Sequence, residues 1–196
     1  MLSKLSDLFS SKRAPAGYRP GATLEHVRRN LGQPSFQLSA PVRAQFQFSP
    51  EGPVIEVHER AQAQLLMHIV LTQFRFHTPA SQWREGCYQV HHTGAITRTG
   101  LVCRRREGPR DFADLLTREL STNKALREAL MPLDFKKITL EYSHGGWSVT
   151  LEHMGGSEVV NRMPAFRRYI SLSIEQTRLC SRASLRFISC LRPFKP

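Results

Sequence analysis

At 196 residues, with 40% apolar and 22% charged residues, the chain is long enough to bury a core and too apolar to be disordered throughout. Its 28 basic residues against 16 acidic ones give a net charge of +12, with arginine outnumbering lysine 22 to 6, a balance that favours polyanionic partners. Four irregularly spaced cysteines suggest no disulfide framework, the apolar run LLMHIVL (65–71) is too short to span a bilayer, and MLSKLSDLFSSKR lacks the apolar core of a secretory signal, so no integral membrane segment is expected and the location reads as cytoplasmic.

Residues 1–21 read as an N-terminal segment and linker. Leu2, Leu5, Leu8 and Phe9 can line one side of a short helix over 1–10, and SSKRAPAGYRPG (10–21) follows, rich in Ser, Pro and Gly. Residues 22–196 read as a single domain. ATLEHVRRNLG (22–32) spaces Leu24, Val27 and Leu31 for a helix closed by Gly32. The period then becomes two: Phe46 and Phe48 alternate with Gln45 and Gln47, SPEGP (49–53) turns, and VIEVHER (54–60) resumes extended. QLLMHIVLTQFRFH (64–77) predicts a long, mostly buried strand, with a helix left open by its continuous apolar run. CYQVHH and AITRTGLVCRRR predict a hairpin about Thr93-Gly94.

Two helices follow, over 109–121 with Pro109 near its start and over 122–131 up to Pro132. KKITLEYSHGGWSVTLEHMGG (136–156) predicts a hairpin turning at Gly145-Gly146, with Ile138, Leu140 and Tyr142 on one side and Trp147, Val149 and Leu151 returning beside them. One or two further strands flank Pro164. Ser173 and Gln176 form a capping-box pair that opens a helix to about Leu191. No strand–helix–strand alternation imposes a parallel sheet, so the fold class is α+β: antiparallel meanders packed with helices. FQFSPEGPVIEV (46–57) overlies LEYSHGGWSVTL (140–151) without a gap, which raises two pseudo-repeated halves, 22–108 and 109–196, as an option beside two unrelated amphipathic hairpins.

The stretch SEVVNRMPAFRRYISL (157–172), running into a helix that starts near Glu175-Gln176, resembles an uncharacterised proteobacterial family, a domain of unknown function. ERAQAQLLMHIVLTQF (59–74) adds to the resemblance. What the resemblance implies is a bacterial protein without an assigned activity, and it carries over no functional residues.

GCYQVHHTGAITRTGLVCRRREG (86–108) concentrates two cysteines, a histidine pair and a run of three consecutive arginines. On a strand, Cys87 and His91 share a face but lie about 13 Å apart at ~3.3 Å per residue, too far for a tetrahedral site. A two-residue turn at Thr93-Gly94 pairs Cys87 with Gly100 and turns Cys103 away. No metal or other cofactor is therefore expected. Glu56, His58 and Glu59 in one strand, and Glu141, His144, Glu152 and His153 in the late hairpin, are the residues able to supply acid–base pairs, with Glu141 and Glu152 on a wet side. His68, within LLMHIVL, is the titratable group expected to be buried. No nucleophile elbow, P-loop, dinucleotide fingerprint or HExxH occurs, so catalytic residues are not assigned.

The expected function is that of a non-enzymatic cytoplasmic binding protein whose arginines contact nucleic acid or an acidic protein. Arg104, Arg105, Arg106 and Arg110 end the early hairpin, and Arg178, Arg182 and Arg186 recur every four residues on the last helix, with Ile174, Thr177, Ser181, Leu185 and Ile188 expected to pack on the sheet. Two alternatives stay open: a protein-interaction or chaperone-like adaptor, such as a homodimer, and a small-molecule or lipid binder with an apolar cavity between its meanders.

Overall fold

Period-two alternation runs through most of the chain, and among the described residues it builds one antiparallel sheet of nine strands: β1 (Gln37–Ala40), β2 (Arg43–Gln47), β3 (Val54–Ala63), β4 (Met67–Pro79), β5 (Gly86–Thr93), β6 (Gly100–Glu107), β7 (Phe135–Ser143), β8 (Gly146–Arg162) and β9 (Ala165–Ile170). Their spatial order is β1-β2-β3-β4-β8-β7-β5-β6, with β9 beside the second half of β8. The helices are α1 (Ala22–Leu31), α2 (Arg110–Thr122), α3 (Lys124–Leu130) and α4 (Ile174–Leu191). The computed structural model describes residues 17–33, 35–63, 67–80, 85–94, 97–162 and 165–191; the helix expected over 1–10, the linker up to residue 16, residues 64–66 and Pro164 lie outside them. The α+β class and the long strand through Met67–Pro79 are as the sequence predicts. The sheet runs through both expected halves, which meet twice, where β4 pairs with β8 and where β5 pairs with β7.

All four helices of the described residues cover one face. Phe112 of α2 stacks on Trp147 at 4.5 Å and touches Tyr88 at 4.6 Å. In α4, small residues (Cys180, Ala183, Ser184) let the helix backbone approach the sheet, and Phe187 fills the space among Phe74, Phe76, Ile138 and Val149. The packed side of α4 is thus Leu179, Cys180, Ala183, Phe187 and Cys190; of the side expected from the sequence Ile188 packs against the core, whereas Ile174 and Leu185 are 70% and 49% exposed. The capping box is half formed. The Ser173 hydroxyl accepts from the Gln176 amide at 3.1 Å, but the Gln176 side chain turns inward, where its oxygen accepts from the Asp134 amide at 2.9 Å and lies 2.9 Å from Nε2 of His153.

Two turns differ from expectation. β7 and β8 join through His144-Gly145, both at positive φ (50° and 78°), as a two-residue type I′ hairpin requires. This lies one residue before the expected Gly145-Gly146 turn. The pairing moves by two residues, so every side chain keeps its face and Ile138, Leu140, Tyr142, Trp147, Val149 and Leu151 are all buried. β5 and β6 instead pair Thr93 with Gly100, leaving residues 94–99 as the connection. The Thr99 amide donates to the Thr93 carbonyl at 2.9 Å, and Arg98 reaches across to Asp134 at 2.7 Å, so the loop is tied to the turn before β7 instead of closing tightly.

β8 carries a wide bulge. Thr72 pairs with His153 and Val70 with Glu158, which leaves residues 154–157 opposite Leu71. The extra residues reverse the alternation, so His153 and Glu158 both face the helices. Gly156 sits there at φ +81°, and a Cβ on it would lie 3.2 Å from Val27 of α1. Ser157 stitches the bulge: its hydroxyl donates to the His153 carbonyl at 2.9 Å and accepts from the Thr72 amide at 3.3 Å. α1 has no side-chain cap of its own. The Glu59 carboxylate, from β3, takes that role by accepting from the amides of Gly21 (2.9 Å) and Leu24 (2.6 Å) and from the Tyr18 hydroxyl (2.9 Å).

Candidate anion-binding face

The side of the sheet away from the helices carries polar and charged side chains in rows that cross the strands. One row runs Arg43–His58–Gln73–Glu152–Lys137 over β2, β3, β4, β8 and β7. The next runs Gln45–Glu56–Arg75–Thr150–Thr139–Gln89–Arg104 and reaches β6. Alternation explains both, since Ala44, Phe46, Ile55, Val57, Phe74, Phe76 and Leu151 occupy the intervening positions and point into the core. A bulge at Lys136 keeps Phe135 on the core side while Lys137 stays in the row.

Within these rows lies a recess of about 190 Å³ lined by Ser39, Arg43, Gln45, Glu56, His58, Gln73 and Arg75. Nε of Arg75 donates to the Thr150 hydroxyl at 3.0 Å. Neither Arg43 nor Arg75 forms an ion pair among the described residues. Burial first, then Arg43, Arg75 and Arg60, hold the His58 imidazole below its ordinary pKa, with Glu56 pulling weakly the other way. Beside the recess, Oε1 of Glu152 accepts from Gln73 Nε2 at 2.9 Å and lies 3.4 Å from Lys137 and 3.9 Å from Arg60, while its Oε2 is buried without a hydrogen-bond partner.

The acid–base candidates are dispersed. Glu56 and His58 share the recess, Glu59 lies on the other face as the α1 cap, Glu141 and His144 are exposed, and Glu152 and His153 point to opposite faces. His68 is buried as expected, but Glu59, Glu152, His153 and Glu158 are buried too, so the wet side expected for Glu152 is not what the chain builds. Glu158 is held by Arg167 at 3.0 Å and by the Thr23 hydroxyl.

In the early hairpin, Cys87 pairs with Glu107 and Val90 with Cys103, not Cys87 with Gly100, because the connection is longer than two residues. Cys103 faces the core and Cys87 the other side. Among the described residues, no group of three or more His, Cys, Asp or Glu side chains could hold a metal ion. Burial pushes the thiols of Cys103, Cys180 and Cys190 up to about 12, so they stay protonated. The apolar space between α4 and the sheet is about 10 Å³, at the lower limit for a single water.

The seven arginines singled out from the sequence are all exposed, but they fall on different surfaces. Arg104 and Arg106 project from the helix-free face of β6, Arg105 from the other side, and Arg110 begins α2. Arg178, Arg182 and Arg186 lie on the outer side of α4, across the sheet from Arg104 and Arg106. Arg43, Arg60 and Arg75, which join the helix-free face, were missed by the sequence reading. Alternation in VIEVHER does separate Glu56 and His58 from Ile55 and Val57, but the arginines beside them depend on the registers of β2 and β4.

The family model described as "Protein of unknown function (DUF3156)" matches residues 29–191. The chain belongs to this family. The match includes both stretches that carry the resemblance in the sequence, and it includes every residue of the two rows. No curated protein and no solved structure matches the chain. Among the described residues, no helix of this family member is long and apolar enough to cross a membrane.

Proposed function

We propose that this protein is a non-enzymatic, cytoplasmic binding protein that captures nucleic acid through arginines whose charge the fold leaves uncompensated. The observation that carries this reading is the state of Arg104, Arg105, Arg106, Arg110, Arg178, Arg182 and Arg186: each is exposed, and among the described residues none forms an ion pair. Two of them have neutral partners, since Arg105 donates to the Gly108 carbonyl at 3.0 Å and Arg106 to the Gln89 side chain at 2.9 Å, which orients the guanidinium without cancelling its charge. The net charge of +12 adds long-range attraction. On the helix-free side, β2, β3, β4 and β6 place no aromatic residue among these cations, so phosphates rather than stacked bases are the natural contacts.

An acidic protein is the second reading. It is favoured by α4, where exposed Ile174 and Leu185 lie among Arg178, Arg182 and Arg186, a mixed apolar and basic surface.

Fluorescence anisotropy with a labelled DNA duplex at about 50 mM salt tests the first reading. Arg104→Gln/Arg106→Gln and Arg178→Gln/Arg182→Gln/Arg186→Gln should each weaken binding, by roughly tenfold or more for the set that carries the contact. Equal affinity in the wild type and both variants, or no binding by any, contradicts it. Retention of an acidic protein by the α4 surface after nuclease treatment, with no DNA binding, would favour the second reading.

A further inference from the structure

We infer that the recess between β2, β3 and β4 is a binding site for a phosphate group, held by Arg43 and Arg75 with His58 between them. This goes beyond the capture of a polyanion by Arg104 and Arg106, which lie on β6. Five strand spacings of about 4.8 Å separate β3 from β6, roughly 24 Å.

Four observations support it. The recess, about 190 Å³, is smaller than the pockets that take drug-sized ligands, so its occupant is compact. Its lining is polar: two guanidinium groups, one imidazole, the amides of Gln45 and Gln73, the Ser39 hydroxyl and a single carboxylate, Glu56. The guanidinium groups have no anionic partner among the described residues, and Arg75 is anchored through Nε to Thr150, which leaves its terminal nitrogens free to form a fork. Gln73 is fixed in turn by its 2.9 Å hydrogen bond to the buried Glu152 carboxylate.

The charge balance distinguishes phosphate from a carboxylate. Arg43 and Arg75 set against Glu56 leave one positive charge, enough for a carboxylate. A phosphate monoester carries about −1.5 to −2 at neutral pH and calls for one more. His58 supplies it. The charged groups facing its ring are Arg43 from β2, Glu56 and Arg60 from β3, and Arg75 from β4; burial and the three arginines hold its pKa down, against the pull of Glu56. A dianion between the arginines reverses that field, so binding takes up a proton at His58. Affinity then rises as the pH falls through the His58 pKa, until the phosphate itself becomes protonated.

The test is an NMR titration of the full chain at pH 7, following the His58 ring. The probes are pyrophosphate and a short oligothymidylate with and without a 5′-phosphate. Saturable movement of the ring signals toward the imidazolium position with pyrophosphate is expected, weakened at least tenfold in Arg43→Gln/Arg75→Gln and unchanged in Arg178→Gln/Arg182→Gln/Arg186→Gln. A response confined to the 5′-phosphorylated oligonucleotide also supports the site and identifies the phosphate as a chain terminus. If no probe moves the ring, or if Arg43→Gln/Arg75→Gln responds like the wild type while retaining its thermal melt, the inference is overturned. DNA-duplex binding that survives Arg43→Gln/Arg75→Gln but fails in Arg104→Gln/Arg106→Gln separates this site from the polyanion surface. His58→Asn should bind pyrophosphate with a flatter pH profile, an effect that a purely structural role would not produce.

Discussion

On the helix-covered face Glu59 divides three donors between its two oxygens, whereas on the helix-free face Glu152 gathers Gln73, Lys137 and Arg60 on one oxygen and leaves the other with none. The arginines differ in the same way. Arg167, beside the helix layer, is paired with Glu158 at 3.0 Å, while Arg43, Arg75, Arg104 and Arg106 on the helix-free side form no ion pair among the described residues. On the helix-covered face Glu59 and Arg167 find their partners within the chain. On the other face one oxygen of Glu152 and the charges of Arg43, Arg75, Arg104 and Arg106 have no such counterpart among the described residues, which is the arrangement expected of a surface that something else completes.

The largest effect should come from breaking the covered face. Phe187→Ala removes the largest side chain that α4 buries, and a loss of about 3–5 kcal/mol is expected in urea denaturation. A loss under about 1 kcal/mol would mean that α4 is not a working part of the core. Next come the two carboxylates. Glu59→Gln replaces an acceptor facing backbone donors and should cost about 2–3 kcal/mol; Glu152→Gln, where one oxygen has no donor to lose, should cost about 1 kcal/mol or less. The reverse order would remove the contrast between the faces.

A smaller effect is the pH dependence of stability. Burial is the leading cause that lowers the pKa of His58, His91, His92 and His153 in the folded chain. The unfolded chain then binds more protons as acid is added. The stability these groups contribute is fully present above about pH 6.5 and is lost as the pH falls from there through the folded values, by at most about 1.4 kcal/mol per pH unit for each. Thermal melts at a series of pH values check the sign. Stability that rises on acidification below pH 6.5 would contradict it. The smallest change in stability, within about 0.5 kcal/mol, is expected for Arg104→Gln/Arg106→Gln, because both side chains are exposed and the hydrogen bond of Arg106 to Gln89 lies at the surface.

Much of this architecture was legible in the residues. Leu24, Val27 and Leu31 define α1, Pro132 stops α3, and alternation assigns Ile138 to Leu151 to the correct face. What alternation does not specify is the register between strands distant in sequence. The recess is made by Arg43, His58 and Arg75 from three strands, and Glu152 meets Lys137 and Gln73 through two registers, one of them set by a bulge. The packed side of α4 was misread for a related reason. Ile174 and Leu185 are the more apolar residues, but Cys180 and Ala183 allow the closer approach to the sheet. The long connection before β6 was hidden because Arg98 holds it through Asp134, a contact between residues far apart in the chain.

The salt dependence of DNA binding tests the central claim most directly. If three phosphates are neutralised by arginines that the fold leaves unpaired, affinity for a duplex should fall about 40-fold between 50 and 200 mM salt, and a log–log plot should be linear. No measurable binding at the lower salt, or an affinity that stays flat across the range, would contradict the account.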